Sequence, residues 1–349
     1  MSVFKPPFIT AAELAGLVLA EGEVVYNETG KVFHMGDGVT PGGVPMVGVG
    51  NNASETVAGY MSPTDKTYLE KLKGWGSFGF PADGRLTLTS GDPEGVATVT
   101  GGATLYYSPH AGNKLALYGG ASWGLYGFAE TSLSLSGLAA NTNYDIFAYY
   151  NGTAVTLEAV AWSSASARAT ALALQDGVYV KSGNTTRRYL GTIRTTATAG
   201  TCADSIYQRF VWNCYHQIDA PGKSYNSNTS WSCTASSTQE CNAGSGQIRF
   251  ECVMGLPGHI HLNQLGTLGS GSSTTTKIYT GAAKDSTTVA DVGITYYASN
   301  VLASISLGGW TSATDIGYHY VTMTESVTSA TTGTGNGGTK YGVTLIVKK

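Results

Sequence analysis

From about residue 100 to its end, the sequence runs in short stretches where apolar or aromatic residues alternate with polar ones, cut by Gly, Asn and Ser. In an extended chain residues i, i+2 and i+4 share one face, so each stretch reads as a half-buried strand. The stretches are 104–108, 115–118, 125–128, 145–150, 155–161, 178–181 and 189–195, then 206–215, 247–253, 277–280, 294–297, 318–324 and 341–347. Breaks this frequent suit antiparallel strands in a sandwich. The expected fold class is mainly β, with residues 101–349 forming a jelly-roll-like β-sandwich domain or two such units dividing near residue 200. The Ala-rich segment 163–174 is expected to make one or two helical turns between strands. Segments 219–246, 266–276 and 326–340 are polar and rich in Gly, Ser and Thr, and are expected to be long exposed loops, where recognition usually resides.

Charge is scarce, at 12% of residues against about 25% in ordinary domains, and the formal net charge is −3. With no Lys/Arg stripe there is no footprint for phosphate binding, and a nucleic-acid partner is not expected. Arg187 and Arg188 are only a pair, read as a solvated strand end or as partners of a local carboxylate. The best apolar run, 14–20, is far short of the ~20 residues of a membrane span and has no cationic leader, so neither membrane insertion nor an export signal is expected.

The N-terminal residues read differently. Thr10 followed by Glu13 is a capping box, and Leu14, Leu17 and Val18 share a helical face, which predicts a helix over 11–20. Strands 23–26 and 31–35 follow, joined by a turn in which Gly30 can take positive φ, and Gly36 to Gly43 forms a loop. After a Gly- and Asn-rich linker, Ser62 as N-cap, Pro63 at the first position and Gly74 as the stop predict a helix over 63–73. Isolated helices below about 12–15 residues barely form in water, so Tyr68, Leu69 and Leu72 need partners, most simply other copies of the same helix. The expected organisation is an attachment module over 1–50, a linker and stem over 51–100, and the β domain.

All five cysteines lie between 202 and 252, without a Cys-x-x-Cys pair. Two readings stand. Cys214 could bridge to Cys252 across neighbouring strands and Cys233 to Cys241 across a loop, leaving Cys202 for an intermolecular bond. Alternatively all five are reduced, small buried hydrophobes. Tyr225 and Trp231 are large rings in a polar stretch, candidates for stacking on a sugar or a protein partner, or for folding back over the sandwich. Acidic pairs for glycan hydrolysis could be assembled from Glu130, Asp145, Glu158, Asp176 and Glu251, but the sequence does not place two across a cleft and several are more simply strand residues on the wet face; no nucleophile elbow or phosphate loop appears, and neither enzymatic activity nor a cofactor is expected.

Three segments carry a resemblance. Residues 21–26, 29–32 and 35–45, with Gly-Asp-Gly and Thr-Pro-Gly-Gly-Val-Pro, resemble a short module recurrent in phage fibre proteins. Residues 57–73, from Ala-Gly-Tyr-Met-Ser through Asp65, Lys66, Leu69 and Leu72, resemble the helix that precedes distal domains in trimeric phage fibres. The region 105–212 is similar to a β domain of diverse phage virion proteins, through Leu105-Tyr106-Tyr107, Trp123, 142–144, 158–162, Gln175-Asp176-Gly177, 186–195 and 209–212. The chain thus resembles a trimeric fibre or spike of a tailed bacteriophage. The resemblance implies a homotrimer about the 63–73 helix, contacts with other virion proteins through the N-terminal module, location on the virion after synthesis in host cytoplasm, and binding of a host-surface glycan or protein. The competing expectation is a collar, neck or capsid-decorating fibre cross-linked by its cysteines and touching no receptor. His259 and His261, at i and i+2 of a strand, would face the same way, and three copies could offer a metal six nitrogens; the alternative is two surface strand residues.

Overall fold

The computed structural model describes residues 6–46, 64–67, 69, 80–271, 276–298, 303–327, 333–336 and 342–349. The chain falls into two compact units, Met1–Phe78 and Gly79–Lys349.

In the first unit, Thr10 and Glu13 form the expected reciprocal cap, but the helix is only Ala11–Leu14. A continued helix would group Leu14 with Leu17 and Val18. Instead the chain turns so that Leu19 joins Leu14 and Val25 in a small core, leaving Leu17 and Val18 exposed. Strands Val24–Asn27 and Val32–Met35 pair as an antiparallel hairpin, with Phe8–Ile9 and Val44–Pro45 completing a four-stranded sheet. In the turn, Asn27 Oδ1 accepts from the backbone N–H groups of Thr29 and Gly30, and positive φ falls on Lys31 rather than Gly30. Thr64 to Thr67 and Leu69 are helical; the other residues of the 63–73 span read as a helix lie outside the described residues. Leu69 is exposed, while Tyr68 and Leu72 lie outside the described residues.

The second unit is β throughout its sheets. Strands Asn143–Tyr150, Val155–Ala161, Asn184–Arg194, Val178–Lys181, Leu172–Gln175 and Val211–Asn213 form one six-stranded sheet. Alternate residues of this sheet enter two different cores. Ile146, Ala148, Leu190 and Ile193 pack with Leu86, Leu105, Leu115 and Leu117. Phe147, Tyr189 and Trp212 pack with Phe250, Met254, Ile260, Val321 and Leu345. The sheet is therefore covered on both faces. Gly191 is needed where it pairs with the strand Val211–Asn213, because a Cβ there would lie 2.1 Å from the Trp212 carbonyl oxygen.

Several expectations are corrected. Gly84–Thr87 pairs with Thr104–Pro109 and buries Leu86, so the β unit begins near residue 79 rather than at 101. No division falls near residue 200, since Cys202–Asp204 pairs back with Val99–Gly102 and Val211–Asn213 with Asn184–Arg194. Residues 163–168 make no helix; Arg168 is drawn in to Asp145 at 2.6 Å. The expected long loops contain strands Asp219–Asn226, Trp231–Cys233, Gln239–Glu240, the end of Gly258–Gly271, and Gly333–Asn336. Asp219–Asn226 alternates in burial, but its inward side chains include Ala220, Ser224 and Asn226, which no hydrophobic pattern reveals.

Candidate recognition groove

Along residues 247–254 the strand period turns Phe250 and Cys252 into the core, and Gln247, Arg249 and Glu251 outward. Glu251 pairs across the sheet with Tyr320 on one side and, in parallel, with Gln208 on the other. Tyr207 lies in the bend just before Gln208, and Tyr225, opposite Ile248, places its ring 5.8 Å from that of Tyr207. Tyr207, Gln208, Gln247, Arg249 and Glu251 thus line an open groove of about 350 Å³, with Tyr225 at its margin.

These side chains are held rather than free. Arg249 donates to both oxygens of Glu240, at 2.8 and 2.9 Å, and its guanidinium lies over the Tyr320 ring at 4.6 Å. Gln208 Nε2 donates to Glu251 at 2.8 Å, and the Tyr318 hydroxyl donates to the other Glu251 oxygen. Burial and the Glu251 carboxylate push the Tyr318 phenol well above its ordinary range. Burial opposes the charge on Glu240, but hydrogen bonds from Arg249 and Thr322 and the Arg249 charge outweigh it and hold the carboxyl below its ordinary value of 4.5. A carboxyl lowered in the folded state adds stability above its unfolded pKa and loses it as the pH falls through the folded value. The urea midpoint is therefore expected to drop as the pH falls from about 5 towards 3, and less steeply in Arg249→Ala, where Glu240 has lost its main partner. Equal slopes would contradict this assignment.

Chemically, the groove offers aromatic faces, planar amides, a guanidinium and a carboxylate, the groups that stack on a sugar ring and bond to its hydroxyls. Its carboxylate is occupied by Gln208 and Tyr318. The other acids are engaged elsewhere. Glu158 binds Lys181 and Arg187, Glu130 accepts from Ser90, Ser108 and Gly91, and Asp176 accepts from Trp123. Asp145, read as a wet-face residue, is instead buried with Arg168, because both faces of its sheet are covered. Arg187 has the local carboxylate partner considered for it. Arg188 is fully buried, not solvated.

Of the two candidate rings, Tyr225 borders the groove and Trp231 does not. Trp231 is buried on the strand Trp231–Cys233, where its indole N–H donates to Glu325 at 2.7 Å. All five cysteines are free thiols, and none of the expected bonds is present. Cys214 follows a strand of the six-stranded sheet, whereas Cys252 sits in the eight-stranded one. Cys233 and Cys241 are both buried beside Glu325, and burial together with that carboxylate pushes the Cys233 thiol up to about 11. Cys202, the candidate for an intermolecular bond, is completely buried, 3.5 Å from the Phe210 carbonyl oxygen. Only Cys214 is half-buried, and burial pushes its thiol up to about 11. Because the thiolate is the reactive form, a disulfide reagent at neutral pH is expected to label no more than one thiol per native chain and all five in urea without reductant. Fewer than five in urea would mean that bonds exist.

His259 and His261 do face the same way, with ring centroids 6.1 Å apart. Both are exposed beside a cavity of about 230 Å³ that Trp212, Met254 and Lys348 also line, and His261 Nδ1 is 2.8 Å from the Thr311 hydroxyl. Among the described residues no group of three or more His, Cys, Asp or Glu converges as a metal site. Sequence reasoning missed Tyr207, Gln208 and Arg249, although the alternation over 247–253 was the signal that would have turned Arg249 outward.

No family model matches the chain, and no curated protein matches its sequence. Among solved structures, the chain is similar to the Major Tropism Determinant U1 variant, with TM-score 0.23 and 17% identity over 72% of this chain and 56% of that one. It is also similar to the insecticidal delta-endotoxin Cry8Ea1 from Bacillus thuringiensis, with TM-score 0.22 and 8% identity over 76% of this chain and 51% of that one. The chain spans little more than half the length of either.

Proposed function

We propose that this chain is a non-enzymatic attachment protein of a tailed-phage virion, fixed by its N-terminal unit, trimeric through the 63–73 helix, and binding a host-surface glycan at the Tyr207–Arg249 groove. The observation that carries the binding role is the groove itself. Two tyrosine rings adjoin a row of planar polar side chains that are already held in place by Glu240, Gln208 and Tyr318. Preorganised groups lose little freedom on binding, which suits recognition without covalent chemistry. The N-terminal module that resembles phage fibre proteins supports the virion location. The collar or decorating alternative relied on cross-linking, and the burial of Cys202, its candidate thiol, counts against it.

The test is an array of bacterial surface polysaccharides probed with the purified chain and with Tyr225→Ala and Arg249→Ala. The wild type is expected to bind a subset of the polysaccharides, leaving them unshortened, and each variant to lose tenfold or more in affinity. Binding that both variants retain, or cleavage of the polysaccharide, would overturn the proposal.

A further inference from the structure

A second cleft lies in the same unit, built by other segments. The hairpin of Lys114–Tyr118 and Trp123–Gly127 contributes Tyr118 and Tyr126, the end of Asn143–Tyr150 contributes Tyr150, and Asn184–Arg194 contributes Thr186. Together with Gly119 and Gly152 they enclose about 330 Å³. The rings of Tyr126 and Tyr150 stack at 4.4 Å, and Tyr150 is 40% exposed. Gly124 lets the Tyr126 ring sit close against the strand, since a Cβ there would come within 2.9 Å of it. Gly152 turns with φ +98, and its absent side chain leaves space open, with nothing within 4 Å of where a Cβ would be.

Two features decide what such a cleft accepts. None of its lining residues is charged. Its polar groups are hydroxyls, those of Tyr118, Tyr126, Tyr150 and Thr186. A pyranose ring matches both, with C–H faces for the rings and hydroxyls for the phenols, whereas a uronate or an amino sugar would bring a charge with no counter-charge. We infer that the Tyr118–Tyr126–Tyr150 cleft is a separate binding site for an uncharged hexose unit. This rests on the glycan-binding reading above and adds a second point of contact, which raises avidity when both engage one polymer.

The test is saturation-transfer NMR on the full-length chain with maltose, lactose and cellobiose as neutral probes and a glucuronate disaccharide as the charged one. Transfer to at least one neutral probe is expected, with the charged probe weaker. The signal is expected to survive Tyr225→Ala but to fall about tenfold in Tyr150→Ala, whose exposed position permits folding that a matching melting temperature verifies. Tyr150→Phe keeps the ring and is expected to lose only a few-fold. No transfer from any neutral probe, or transfer unchanged in Tyr150→Ala, overturns the inference. If the groove variants still abolish polysaccharide binding, only this inference falls; if the wild type binds no carbohydrate by either assay, both fall.

Discussion

Replacing Asp204 by alanine is expected to lower the unfolding free energy by about 3–5 kcal/mol, the usual cost of breaking a buried ion pair by removing one partner. Asp204 is buried and accepts from Arg209 Nη1 at 2.8 Å and from the Lys349 ammonium. Arg85, also fully buried, donates to the Lys349 carbonyl oxygen at 3.1 Å. Arg209 in turn holds the Pro221 carbonyl oxygen, and Lys349 holds that of Gly95. Asp204 thus sits at the centre of a cluster that ties together five segments of the β unit, in which Glu94 and Asp92 also act on Arg85. Burial pulls the Lys349 ammonium below its ordinary pKa even with Asp204 present, so without it the buried Lys349 and Arg209 both lose their carboxylate partner. Asp204→Asn keeps an acceptor but not the charge and is expected to fall between wild type and alanine. Urea denaturation read by tryptophan fluorescence measures both, and a loss below about 1 kcal/mol in the alanine variant would show the cluster to be dispensable.

Arg188→Ala is expected to cost about 3 kcal/mol or more, for a different reason. Among the described residues the Arg188 guanidinium has no carboxylate partner. It donates to the backbone carbonyls of Pro81 and Ala116, each at 2.8 Å, and of Phe80 at 2.8 Å, and lies 4.7 Å over the Tyr215 ring. A carbonyl left buried and unpaired costs about 1–3 kcal/mol; that of Pro81 keeps the Ala116 N–H, so the loss falls mainly on Phe80 and Ala116. Arg188→Met refills the volume without restoring donors and is expected to be nearly as destabilised, while a lysine cannot span three acceptors. Since Ala116 belongs to the Lys114–Tyr118 strand, hydrogen exchange is expected to rise first in that strand and its partner Trp123–Gly127. A methionine variant as stable as wild type would mean that water replaces the guanidinium.

Strand positions were largely legible because their signal is local. Val155–Ala161 and Val178–Lys181 have the bounds that alternation predicts, and the Thr10 cap forms with both its bonds. What alternation could not carry was a strand whose inner face is Ala220, Ser224 and Asn226, nor the fact that Asn143–Tyr150, read as half-buried over 145–150, is covered on both faces for most of its length. The destination of Trp231 depended on Glu325, 94 residues away, and that of Arg188 on carbonyls more than 70 residues away. The groove is likewise assembled from 207–208, 225 and 247–251, so sequence could flag Tyr225 as a large ring among polar residues but not its neighbours.

The most direct test of glycan attachment is saturation binding of the fluorescently labelled chain to a panel of bacteria, before and after mild periodate, which cleaves vicinal diols of surface sugars and leaves most protein epitopes intact. Saturable binding to some strains, lost after periodate and lost with Tyr225→Ala or Arg249→Ala, is the predicted result. Binding that survives periodate but disappears after surface proteolysis would contradict it and assign the groove to a protein receptor.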